Sequence, residues 1–125
     1  MEKQSVKISN FTDLKVWQEG HQLCLLIYKI TEDFPKHELF GLISQLRRAA
    51  VSITSNIAEG FSRWSYKEKI QFYYIAHGSV TEVENQLILA RDLKYLKAID
   101  YEFVLKKLIS THKLLNIFIK STRSY

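Results

Sequence analysis

The chain has 125 residues, 46% hydrophobic and 25% charged, with a net charge of +5, one Pro and four Gly. A chain of that length can bury roughly two-thirds of its unfolded surface, and its apolar content excludes disorder as the organising state. So few turn formers exclude a many-stranded sheet protein and leave long helices joined by few connections.

Residues 1–11 carry no hydrophobic period and no apolar signal region, so they read as a short N-terminal tail on a cytoplasmic protein. A helical domain over 12–125 follows. Its first helix opens at Thr12 or Asp13 as N-cap, with Leu14, Trp17, Cys24, Leu25 and Tyr28 at core spacing. It ends no later than Phe34, because Pro35 pushes the residue before it out of the helical region. Cys24, the single cysteine, reads as a small core hydrophobe. Apolar runs such as Leu23 to Tyr28 are far short of the roughly 18 residues a membrane span needs, so no membrane is expected.

The second helix is predicted over about Glu38 to Glu59, with Ile43, Leu46, Ala50, Ile53, Ile57 and Phe61 recurring at steps of three or four, and Gly60 as its stop. The third starts at Ser65, which forms a capping-box pattern with Glu68, each side chain taking a backbone N–H of the other. Its core line Tyr73, Ala76, Val80, Val83, Leu87, Ala90 is a heptad seam. Asp100 caps a fourth helix whose Tyr101, Val104, Leu105, Leu108, Leu115 and Ile119 face inward. Helices of this length with short connections run antiparallel, so the fold class is all-α, an up-down-up-down four-helix bundle.

Opposite the apolar stripe of the second helix stand Arg48, Ser52, Ser55, Asn56, Glu59 and Arg63. This side reads either as a solvated face or as a subunit interface. Its short Ser and Asn side chains are poor helix formers that let another backbone come close, which favours the interface. Arg48, Glu59 and Arg63 would then form an ionic cluster between subunits. Away from its core seam, the third helix adds a second mixed stripe of Ile75, Ser79, Glu82, Gln86 and Leu89, which suits packing of identical copies.

The segments "QLRRAAVSITSNIAEGFSRWSYKE" and "FYYIAHGSVTEVENQL" resemble the small four-helix bundle proteins encoded in intervening sequences of bacterial 23S ribosomal RNA genes. That group's relatives include the accessory variability determinant of diversity-generating retroelements. The resemblance runs from "DLKVWQEGHQL" onward, and its anchors are Arg47, Arg48, Asn56, Glu59, Gly60, Ser79 and Glu82. It implies an antiparallel bundle assembled as a barrel-shaped homopentamer with a basic surface able to bind nucleic acid. The retroelement relatives also bind a reverse transcriptase and contribute to copying a template RNA.

Charge supports the nucleic-acid reading separately. Residues 101–125 carry Lys106, Lys107, Lys113, Lys120 and Arg123 against Glu102 alone, so five minus one places +4 of the net +5 there. Lys106, Lys113 and Lys120 recur every seven residues, aligned on one helix edge about 10 Å apart. Such a row suits a phosphate backbone, and it also suits plain solubility. Arg63 and Lys67 extend the candidate surface from the second and third helices. Trp64, Tyr66, Phe72, Tyr73 and Tyr74 could stack on unpaired bases; alternatively Trp64 and Phe61 close one end of the bundle and the tyrosines pack between helices.

Catalysis finds little footing. The residues three before His21, His37, His77 and His112 are Gln18, Phe34, Tyr74 and Ile109, so the Glu-x-x-His pattern of a di-iron bundle is missing. HExxH, CxxC and GxSxG are absent too, and no metal or cofactor is implied. His21 and His112 fall near core-facing edges as structural histidines, and Glu59 and Glu82 read as half-buried partners for Arg47, Arg48 or Arg63. The expectation is a non-enzymatic, oligomeric bundle that binds structured nucleic acid. A scaffold for a partner protein such as a reverse transcriptase is the alternative.

Overall fold

The computed structural model describes residues 7–124. The expected tail's first six residues and the C-terminal residue lie outside them. Four long helices carry the fold: α1 (Lys15–Thr31), α2 (Leu42–Phe61), α3 (Tyr66–Asp92) and α4 (Ala98–Arg123), with no strand among the described residues. Each helix packs on its neighbour in sequence and α4 closes against α1, which gives an antiparallel up-down-up-down four-helix bundle.

The core lines of α2, α3 and α4 fall where the periodicity puts them. All six seam residues of α3 are buried, as are Ile43, Leu46, Ala50, Ile53 and Ile57 of α2 and Tyr101, Val104, Leu108, Leu115 and Ile119 of α4. Each fully buried aliphatic side chain stabilises by about 1.5–3 kcal/mol relative to exposure, so this interior dominates the energetics.

In α1 the expected face is rotated. The buried residues are Val16, Gly20, Leu23, Ile27 and Thr31, whereas Leu25 is 58% exposed and Tyr28 41% exposed. The reason lies in Gly20 and Thr31, which occupy core positions without being large hydrophobes. A Cβ on Gly20 would sit 3.2 Å from Thr54 Cγ2 and 3.4 Å from Ile53 Cγ2, so its absence lets α1 settle closely on α2.

The helix starts also differ from expectation. Neither Thr12 nor Asp13 is the N-cap of α1, which starts after Leu14 without a side-chain cap. Asn10 caps a 3-10 turn (Phe11–Asp13) ahead of it, accepting from the Thr12 N–H, while Asp13 accepts from the Ser9 and Asn10 N–H groups, all at 3.0 Å. Those backbone bonds hold the Asp13 carboxyl below its ordinary range. α1 stops at Thr31, short of Phe34. Glu38 lies in a preceding 3-10 turn, and its carboxylate accepts the Leu42 N–H at 3.1 Å, so it caps α2 instead of beginning it. Its other oxygen takes the Tyr95 hydroxyl at 3.0 Å, tying the two connections at that end of the bundle. Ser65 does cap α3, accepting the Glu68 N–H at 3.1 Å, but the Glu68 carboxylate answers to the Ser65 hydroxyl rather than its backbone N–H. α4 begins after Lys97, which puts Asp100 inside its first turn.

Gly60 is not a stop. It is buried within α2, its φ is not positive, and the helix continues to Phe61. A Cβ there would lie 2.6 Å from Tyr73 Cε1 and 3.0 Å from Phe72 Cβ, so the glycine exists to admit the Tyr73 ring. Replacing it should overpack the α2–α3 contact. Gly60→Ala is expected to cost about 1–3 kcal/mol, read as a lower urea midpoint at an unchanged m-value.

α3 ends in a Schellman arrangement in which the Tyr95 N–H reaches Ala90 O at 3.0 Å and the Lys94 N–H reaches Arg91 O at 2.9 Å. Lys94 holds the left-handed position, φ 63°, that glycine fills without strain. Lys94→Gly should therefore raise stability by about 0.5–1 kcal/mol, the relief of left-handed strain exceeding the added freedom of the unfolded chain. Denaturant melts of the two proteins give the sign directly.

Candidate nucleic-acid interface

The inward line of α4 leaves Lys106, Lys113 and Lys120 exposed on its outer side. With successive heptads nearly eclipsed around a helix, they form one row. Lys107, one residue on from Lys106, turns instead into the α1–α4 seam. Its ammonium donates to Glu19 Oε1 at 3.1 Å and to Gln22 Oε1 at 2.8 Å, and Ser110 adds its hydroxyl to Glu19 Oε2 at 2.6 Å. Lys107 thus serves the α1–α4 seam within the subunit, unlike the three lysines of the exposed row.

The C-terminal turn of α4 meets the first turns of α3. Lys120 and Arg123 line an open groove of ≈ 460 Å³ together with Tyr74, His77 and Asn116. Arg123 also borders a second groove with Lys67, Tyr66, Gln71 and Tyr74. Lys67 and Arg123, far apart in sequence, therefore stand on adjoining grooves with the half-exposed Tyr74 ring between them. Sequence reasoning named these cations but missed the convergence, which follows from the antiparallel pairing of α3 and α4.

Arg63, just past the end of α2, lines neither groove. Its guanidinium lies 4.7 Å over the Phe72 ring and 3.4 Å from Glu59. Trp64 does not close the bundle; it is 98% exposed. Tyr73 is buried, while Tyr66 and Tyr74 stand at the surface.

Within the subunit, the anchor residues of the resemblance stand in separate places, and of the expected Arg48–Glu59–Arg63 cluster only Glu59 and Arg63 pair. Arg47 faces α1, where its Nε donates to Thr31 Oγ1 at 2.9 Å and its guanidinium lies 4.7 Å over the Tyr28 ring. Asn56 and Ser79 belong to the α2–α3 seam: Ser79 Oγ meets Ser52 Oγ at 2.8 Å, and the Asn56 amide donates to Ser52 O at 2.8 Å and Ser52 Oγ at 3.0 Å. Glu59 and Glu82 are exposed, not half-buried. Glu59 pairs with Arg63, and Glu82 accepts from the Gln86 amide at 3.2 Å. Arg48 is exposed on the outer side of α2. Polar atoms that look outward on a helical wheel are thus partly spent holding α2 to α3.

The histidines also regroup. His21 is exposed and stacks on Trp17 at 4.7 Å. His112 is half-buried, with its Nε2 3.0 Å from that of His77 across the α3–α4 seam. Cys24 packs partly buried against the core, and burial pushes its thiol pKa up. Among the described residues, no three His, Cys, Asp or Glu side chains gather as a metal-holding group, and no helix is long and apolar enough to cross a membrane.

The family model of the 23S rRNA-intervening sequence proteins matches residues 12–117. A crystal structure of a protein of unknown function from the S23 ribosomal protein family of Bacteroides thetaiotaomicron superposes with a TM-score of 0.75 and 26% identity, covering 84% of this chain and 98% of that one. No curated protein matches the sequence.

The Glu19 contact carries a pH signature. The Ser110 hydroxyl first, and then Lys107, hold the Glu19 carboxyl below its ordinary value of 4.5. A depressed folded pKa contributes stability that is complete above the unfolded value and lost as pH falls through the folded one. Urea midpoints measured between about pH 3 and 7 should fall on the acid side for the parent and fall less for Glu19→Gln, which has no carboxylate there to protonate.

Proposed function

The chain belongs to the 23S rRNA-intervening sequence protein family, and from that footing we propose that it is a non-enzymatic helical bundle that binds structured nucleic acid, RNA foremost. The contact surface is the exposed row Lys106, Lys113 and Lys120 with Arg123 and Lys67. The observation that carries this reading is the meeting of Lys67, Lys120 and Arg123 around Tyr74, where cations for phosphates flank a ring able to stack on a base. Arg63, held by Phe72 and Glu59, has a lesser part.

Self-assembly belongs to the same proposal. Arg48, Ser55 and Glu59 of α2 and Ile75, Gly78, Glu82 and Leu89 of α3 are exposed. A Cβ on Gly78 would meet nothing within 4 Å, so a glycine that weakens the helix has no reason inside the subunit. A second copy packed on this side supplies one. The resemblance to the pentameric bundles sets the expected number at five, and repetition of the basic row around a ring would convert weak sites into avidity. The rival reading is a scaffold for a partner such as a reverse transcriptase, as in the retroelement relatives. It draws on the exposed Ile99, Phe103 and Ile117 beside the lysines.

Binding of labelled structured RNA and duplex DNA at two salt concentrations, with mass by light scattering on the same sample, tests the reading. The expected result is an oligomer whose affinity falls steeply with salt. Replacing Lys113, Lys120 and Arg123 together by Gln should flatten the log–log salt slope on duplex DNA by about 2–3, at close to 0.9 per lost phosphate contact. Lys107→Gln should leave that slope unchanged. Equal binding by parent and triple variant overturns the assignment. Binding indifferent to salt, or none at all, favours the scaffold.

A further inference from the structure

We propose that His77 and His112 form an open two-histidine site for a borderline divalent cation of the Zn2+ or Cu2+ class, bridging α3 and α4. The two Nε2 atoms stand 3.0 Å apart. An ion bound at about 2.0–2.1 Å from each nitrogen places two ligands at that separation when the angle between them is near a right angle. The rings are also aimed suitably. Their centres are 4.8 Å apart at an interplanar angle of 57°, less than the N–N distance plus the two ring radii. The rings therefore do not point straight along the N–N line, as ligands converging on one ion do not.

Neutral imidazole is a good ligand for Zn2+ and Cu2+. The pair comes from two rigid helices packed in register, which keeps the nitrogens at a fixed separation whether or not an ion is present. His77 also lines a groove with Tyr74, Asn116, Lys120 and Arg123, the side from which an ion and its completing ligands would enter. The two cations oppose a bare dication there. They also favour an anion, hydroxide or phosphate oxygen, as the completing ligand, so the site takes a cation together with an anion. This assignment stands independently of nucleic-acid binding.

The test uses Cu2+ and Zn2+ themselves on the full chain. Zn2+ should shift the imidazole 15N resonances of His77 and His112 in the parent protein and leave those of His21 and His37 in place. Cu2+ should give an electron paramagnetic spectrum with coupling to two imidazole nitrogens. His77→Gln and His112→Gln should each bind Cu2+ at least tenfold more weakly, and His21→Gln as well as the parent. Affinity should fall on acidification, because protonated imidazole cannot ligate. If Zn2+ shifts His21 or His37 instead, or no histidine, the site is wrong. The 15N measurement needs no variant, so it decides the matter even where a Gln variant loses helicity by circular dichroism.

Discussion

The Tyr73 ring is the wedge on which the rest of the bundle is set. It is fully buried, lies against Gly60 of α2, and meets Phe118 of α4 at a ring separation of 4.6 Å. One side chain of α3 thus fixes two neighbouring helices. Burial pushes its phenol up to about 12, so it stays neutral at any physiological pH. Gly60 accepts the cost of glycine inside a helix because nothing larger fits beneath the ring. Phe118 is flanked in sequence by Ile117 and Ile119 and is followed by Lys120, so the same contact that closes the core holds the basic end of α4 beside α3.

Around that wedge, each seam of the bundle carries its own polar tie. Arg47 to Thr31 joins α2 to α1, Ser52 to Ser79 joins α2 to α3, His77 to His112 joins α3 to α4, and Lys107 with Ser110 to Glu19 joins α4 to α1. The apolar interior supplies most of the stability but tolerates sliding, since one buried aliphatic contact resembles the next. Hydrogen bonds at fixed heights do not tolerate it. Family membership rests on residues 12–117, which span all four ties.

The sequence exposes those features that a regular period can carry. The α3 seam is legible because every member is apolar or aromatic and the step never breaks. α1 is not, because Gly20 and Thr31 take buried positions while Leu25 and Tyr28 lie outside, so counting hydrophobes rotates the face. Gly60 misleads because a glycine near a helix end has two physical uses, and only the partner ring distinguishes them. Lys106 and Lys107 look alike in a basic run, yet one residue of helical rotation separates solvent from Glu19, a residue on another helix. The His77–His112 pair did leave a signal: the two are equidistant from the turn at Lys94 and Tyr95, and in an antiparallel hairpin such residues share a height.

The chemistry of the four ties gives the bundle a direction of failure. Those of α2 use a guanidinium, hydroxyls and backbone carbonyls, groups that keep their protons across the range in which proteins ordinarily work. The tie of α4 to α1 differs: its acceptor is the Glu19 carboxylate, held below its ordinary value by Ser110 and then Lys107. Acidification therefore weakens the α1–α4 seam, while the Arg47–Thr31 and Ser52–Ser79 ties keep their groups unchanged. The bundle does not loosen evenly; acid acts first on one flank of the helix that bears the lysine row.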